Sequence, residues 1–62
     1  MWIITREGVA LNVDQISKIR YREPDTVATV AGQTTIVATG DMVTYILGAI
    51  ANREATIDFR GM

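Results

Sequence analysis

The chain has no cysteine and no histidine, and only one serine, one proline, one tryptophan and one phenylalanine among 62 residues. Without thiols there are no disulfide staples, no thiolate zinc ligands and no cysteine nucleophile. Without imidazole the commonest general base and the other usual zinc ligand are missing too. Ser17 has no sequence neighbour that could serve as the base a serine nucleophile needs. Among the carboxylates, Asp14 stands alone and Glu23 and Asp25 flank Pro24, without ligand-loop spacing. The glycines at 8, 32, 40, 48 and 61 form no phosphate-binding loop. No apolar run approaches the roughly 18–20 residues of a membrane span. The expectation is a chain that is not an enzyme and has no metal, no cofactor and no membrane partner.

What is present is a small, aliphatic composition. With 48% of residues hydrophobic and few aromatics, the core must be assembled from Ile, Val, Leu and Ala. A single domain of this size only just offsets the chain entropy lost on folding, so self-association into a homodimer or larger homo-oligomer is expected to complete the core. Six basic and seven acidic residues give a formal charge of −1, which argues against a general electrostatic affinity for nucleic acid or membrane. The start, MWIITREG, lacks the basic and long apolar regions of a signal peptide, and a cytoplasmic location is the expectation.

The segment DMVTYILGAIAN, residues 41–52, carries the one clear helical period. Met42, Val43, Ile46, Leu47, Ile50 and Ala51 fall on one stripe of an α-helix. Asp41 suits the first turn as a hydrogen-bond acceptor and as a charge at the positive end of the dipole. Asn52 can take the left-handed conformation that closes many helices. Gly48 is discordant, since a mid-helix glycine costs roughly 0.5–1 kcal/mol relative to alanine.

The remainder reads as strands: about 2–5, 9–13, 16–22, 26–31 and 34–39, with a possible strand at 55–59 that could instead be an arm or a loose tail. The first two form a hairpin about Arg6, Glu7 and Gly8. Asp14 and Gln15 interrupt the pattern, Pro24-Asp25 is a turn signal, and a second hairpin is centred on Gly32 and Gln33. The fold class is α+β: a small antiparallel sheet of four to five strands with one C-terminal helix packed on it. Because TVATVAGQTTIVAT is apolar or threonine-rich on both faces, one helix can cover only one side, and a second copy is the economical cover for the other. The interface residues expected on that basis are Val27, Ile36 and Val37, the small-residue helix seam Thr44, Gly48 and Ala51, and Ile57 and Phe59 of the tail.

One charged constellation stands out. Lys18, Arg20 and Arg22 alternate with Ile19 and Tyr21, which places three cations on one strand face about 6.6–7 Å apart. Such a row could follow phosphates or grip a carboxylate, with Tyr21 beside it as a stacking surface. Alternating charge is also what the wet face of any half-buried strand shows; Glu23 and Asp25 could neutralise it, and Tyr21 would then be core.

Three features, ITREGVALNVDQISKI with Asn12 before the corner at 14–16, the V-x-x-x-x-G hairpin from Val27 to Gly32, and a single C-terminal helix, together resemble the small flagellar-operon proteins of the FlbD or SwrD type and short uncharacterised bacterial and phage proteins. The chain departs from that pattern in lacking a strongly charged helix and in adding the alternating segment at 55–59. The resemblance implies a small cytosolic accessory protein with no catalytic residues to carry over, and a phage or mobile-element origin of this chain is a further expectation. The leading expectation is therefore a non-catalytic interaction protein that self-associates and binds a protein partner. The alternative is a binder of nucleotides or nucleic acid through Lys18, Arg20, Tyr21 and Arg22 at subunit junctions.

Overall fold

The computed structural model describes residues 1–61 and contains six strands and one α-helix among them. In chain order these are β1 (Trp2–Ile4), β2 (Ala10–Asn12), a single 3₁₀ turn (Val13–Gln15), β3 (Ile16–Arg22), β4 (Asp25–Val30), β5 (Gln33–Thr39), α1 (Val43–Ala51) and β6 (Thr56–Asp58). The α+β class is observed, but the strands form two three-stranded sheets instead of one sheet of four to five. One sheet has the order β2-β1-β6 and the other β3-β4-β5.

The division into two sheets originates at the corner after β2. Asn12 accepts a hydrogen bond from the Asp14 backbone N–H at 3.0 Å through its side-chain oxygen, and the Ile16 N–H returns to the Val13 carbonyl. This asparagine cap turns the chain out of the first sheet before β3 begins. The second departure from the expected topology is parallel pairing. The β5–α1–β6 connection carries the chain back across the molecule, so β6 lies parallel to β1 with Ile3 opposite Ile57. Backbone bonds from Trp2 N–H to the Ala55 carbonyl (3.0 Å) and from Phe59 N–H to the Ile4 carbonyl (2.9 Å) extend that pairing at both ends.

The β3–β4–β5 sheet is a meander. Glu23 and Pro24 join β3 to β4, with Arg22 opposite Asp25. The second turn falls on Ala31 and Gly32, one residue earlier than the pattern indicates, with Val30 opposite Gln33. Both turn residues have positive φ, 51° and 80°, as a tight hairpin that matches strand twist requires. Between Thr26 and Val27 the register with β5 shifts, leaving Val37 as an extra residue. The bulge lets Val37 and Ala38, consecutive in sequence, both be buried.

The core lies between the two sheets and α1. It consists of Ile3, Ala28, Val37, Ala38, Ile46, Ala49, Ile57 and Phe59, with Met1, Leu11, Val13, Ile16, Ile19, Met42 and Ile50 packed around it. The helix is rotated from the expected stripe: Ile46 and Ala49 are buried, whereas Leu47 is 54% exposed and Ala51 is exposed. It is also shorter than residues 41–52. Asp41 accepts from the Val43 N–H at 3.2 Å, and Arg53, not Asn52, takes the left-handed conformation (φ 56°). The Arg53 and Glu54 N–H groups then bond back to the Ile50 and Ala49 carbonyls, a paired closure of the helix end.

Two buried threonines tie loops to this core. Thr26 donates to the Gly40 carbonyl at 2.6 Å and accepts from the Met42 N–H at 2.7 Å, fixing the entry to α1. Thr5 accepts from the Val9 N–H at 3.1 Å across the first turn. No buried side-chain nitrogen or oxygen among the described residues is left without a partner, as buried polar groups require.

Phe59 is the largest fully buried side chain, so Phe59→Ala is predicted to lower the unfolding free energy by roughly 3–5 kcal/mol. In a domain of this size that loss abolishes cooperative unfolding in a urea titration. A loss under about 1 kcal/mol would contradict a core closed by the last strand.

Candidate functional site

Strand alternation places Lys18, Arg20 and Arg22 together on the face of β3-β4-β5 that points away from the core, and all three are exposed. Register sets Lys18 opposite Thr29 and Thr34, Arg20 opposite Val27 and Ile36, and Arg22 opposite Asp25 and Thr39. Tyr21 is not among them. It lies on the inward row opposite Thr26, at the sheet edge and 44% exposed, and so cannot stack on anything the cations hold.

Arg6 joins this face from the first turn, an element that gave no sign of it in sequence. Its N–H bonds to the carbonyl of the bulged Val37 at 2.8 Å, which seats the turn against the β5 edge. Its guanidinium then donates to Asp25 at 3.0 Å and to the Thr39 hydroxyl at 2.7 Å. Asp25 is thereby paired with Arg6, a contact separated by 19 residues. Among the described residues, Lys18, Arg20 and Arg22 have no carboxylate within ion-pair distance.

Two grooves border β3. On the outward face, one of about 270 Å³ is lined by Arg22, Glu23, Asp25, Val27, Thr34 and Ile36. It carries two carboxylates beside one cation, a poor cradle for a phosphate. Between β3 and α1, a second of about 210 Å³ is lined by Val13, Ile16, Ile19, Leu47 and Ile50, with Ser17 and Lys18 at its rim. Ser17 donates its hydroxyl hydrogen to the Thr29 carbonyl at 3.2 Å, which occupies it structurally.

The residues expected at an oligomer interface separate into two groups. Val27, Val37, Ile57 and Phe59 are at most 5% exposed within the single chain, so they present no surface to a second copy. Val27 points outward but is screened by its cross-strand neighbours Arg20 and Ile36. Ile36 and the helix residues Thr44, Gly48 and Ala51 are exposed. A side chain at Gly48 would meet nothing within 4 Å, so the glycine clears no space for the sheet beneath it.

On the other sheet, Arg60 grips Asp58 through its side chain, at 2.7 Å from the guanidinium to the nearer carboxylate oxygen, and through its backbone N–H. These bonds hold the Asp58 carboxyl below its ordinary value and raise the Arg60 guanidinium. A lowered carboxyl stabilises the fold above its unfolded value and loses that contribution as pH falls through the lowered one, so this pair contributes at neutral pH and makes stability pH-dependent only on the acid limb. No group of three or more His, Cys, Asp or Glu residues arranged to hold a metal occurs among the described residues.

Comparison of the chain with protein-family models, with curated proteins and with solved structures finds no match in any of the three.

Removal of the Arg6 side chain leaves Asp25 partly enclosed and unpaired. Arg6→Ala is predicted to reduce stability by about 1 kcal/mol, a fall in Tm of about 4–8 °C by thermal circular dichroism. An unchanged Tm would mean that this contact does not hold the two sheets together.

Proposed function

We propose that the chain is a non-catalytic binding module that recognises a protein partner through β3 and the outward face beside it. The observation that carries this reading is the row Lys18, Arg20 and Arg22, exposed and without an ion pair, on a chain whose formal charge is −1. Three uncompensated cations aligned on a rigid strand favour an acidic partner and suppress a basic one. The absence of histidine and cysteine, and the structural hydrogen bond of Ser17, support a binding role over a catalytic one.

The nucleotide reading is weaker because neither groove beside β3 gives a compact phosphate group a seat: the outward one sets Glu23 and Asp25 beside Arg22 and the other is mostly apolar, whereas an extended acidic segment can run along the whole row of Lys18, Arg20 and Arg22. Self-association, expected from the sequence, retains Ile36 and the seam Thr44, Gly48 and Ala51 as exposed candidates, and the protein-partner reading does not require it.

The test is a titration followed by NMR shifts, with polyglutamate, a single-stranded DNA oligonucleotide, a duplex and ATP as separate probes at fixed ionic strength. Polyglutamate is predicted to shift the amides of residues 18–22, and the variant with Lys18, Arg20 and Arg22 all replaced by Gln is predicted to remain folded and lose the response. Tighter binding of either DNA or of ATP than of polyglutamate at the same residues would overturn the reading.

A further inference from the structure

Among the described residues, β3 is the seven-residue edge strand that no backbone group from another segment meets. The edges β2 and β6 are three residues each. The β5 edge is met by the Arg6 N–H at Val37 and by the Arg6 side chain at Thr39. Strand β3 has seven residues and pairs with β4 alone. A register shift at Ser17 makes 18–22 its regular part. An edge of this kind offers unpaired N–H and C=O groups to an incoming strand.

The two sides of that edge differ in chemistry. Outward are Lys18, Arg20 and Arg22; inward are Ile19 and Tyr21, and Ile19 lines the groove that Val13, Ile16, Leu47 and Ile50 complete. Leu47 in that groove is 54% exposed, and Tyr21 further along the inward row of β3 is 44% exposed, so neither is enclosed by the chain's own core. Side chains on an added strand must alternate in the same way, one set toward the cations and the other toward the groove.

Antiparallel pairing with a second copy of this chain does not satisfy the edge. Antiparallel pairing of β3 with β3 of another copy runs about a two-fold axis perpendicular to the sheet, which keeps outward faces together. The cation row would then oppose itself, and like charges directly opposite are destabilising. We propose that the free edge of β3 accepts an extended segment of another protein in which acidic residues alternate with aliphatic ones. About five residues pair with 18–22: the carboxylates meet Lys18, Arg20 and Arg22, and the aliphatic side chains enter the groove beside Leu47 and Ile50. Main-chain bonds supply affinity, and the two rows of side chains supply selectivity. The inference rests on the protein-partner reading and specifies its chemistry.

The experiment uses the full chain and a seven-residue peptide, Glu-Val-Glu-Leu-Glu-Val-Glu, titrated by fluorescence anisotropy with amide exchange of β3 followed by NMR. Three control peptides accompany it: one of the same composition with glutamates and aliphatic residues in separate blocks, and two N-methylated on one or the other alternating set of backbone amides. The expected result is slowed exchange at alternate amides of residues 18–22, with binding weakened about tenfold or more by blocking the sequence and abolished by one N-methyl set only. Arg20→Glu and Leu47→Lys, both at exposed positions, are each predicted to weaken binding about tenfold with the fold unchanged by circular dichroism. Equal binding of alternating, blocked and both N-methylated peptides would overturn strand addition and leave an electrostatic protein-binding face. No binding of any acidic peptide would overturn both the strand addition and the partner reading, as would preferential binding of a DNA oligonucleotide at the same residues.

Discussion

The parallel pairing of β1 with β6 is the contact on which the rest of the structure depends. Ile3 and Ile57 face each other at its centre, and the hydrogen bond from Phe59 to Ile4 fixes the strand end that delivers Phe59 to the core. Burying a side chain such as Ile or Phe contributes roughly 1.5–3 kcal/mol, a large share of the net stability of so short a domain. The helix follows from this constraint, because α1 is the crossover that returns the chain to β1 and its Ile46 and Ala49 close the space between the sheets. Thr26 then determines where the crossover begins, by bonding Gly40 and Met42 on either side of Asp41.

Closure within one chain changes what the surface is for. A core that needed a second copy would leave its apolar residues at the interface, but Val37, Ile57 and Phe59 are enclosed without one. Among the large apolar side chains left exposed, which also include Trp2, Val9, Ile36 and Tyr45, Tyr21 lies on β3 itself and Leu47 lines the groove beside it. Lysine and arginine on an edge strand protect against indiscriminate strand pairing. Under the proposed strand addition the same residues would repel a like-charged strand and attract an acidic one, so protection and recognition would share one physical basis.

Local pattern made several parts of this arrangement readable from the sequence. The alternation of Lys18, Arg20 and Arg22 with Ile19 placed the cations on one face, and the apolar period at 42–51 identified a helix, because both signals depend only on neighbours in sequence. Long-range choices were not readable. Nothing in Arg6 signals that it will cross to Asp25, and no local feature of Thr56, Ile57 and Asp58 distinguishes parallel pairing with β1 from an antiparallel edge. The apparent two-sided apolarity of β4 and β5 arose from assuming strict alternation. The bulge at Val37 breaks it, directing two consecutive residues inward and leaving an outward face with only Val27 and Ile36 as large apolar residues opposite the cation strand. The helix also turns inward a face that its apolar period does not single out, with Ala49 buried and Leu47 exposed.

The chain closes its own core and leaves the β3 edge uncovered. Amide hydrogen exchange of the free protein, measured residue by residue over a wide range of protein concentration, tests it most directly. The account predicts slow exchange in β4 and at the β1–β6 pairing, and fast, concentration-independent exchange at alternate amides of residues 18–22. Protection of those β3 amides in the free chain, or protection that grows with concentration, would contradict it by showing that the edge is already covered.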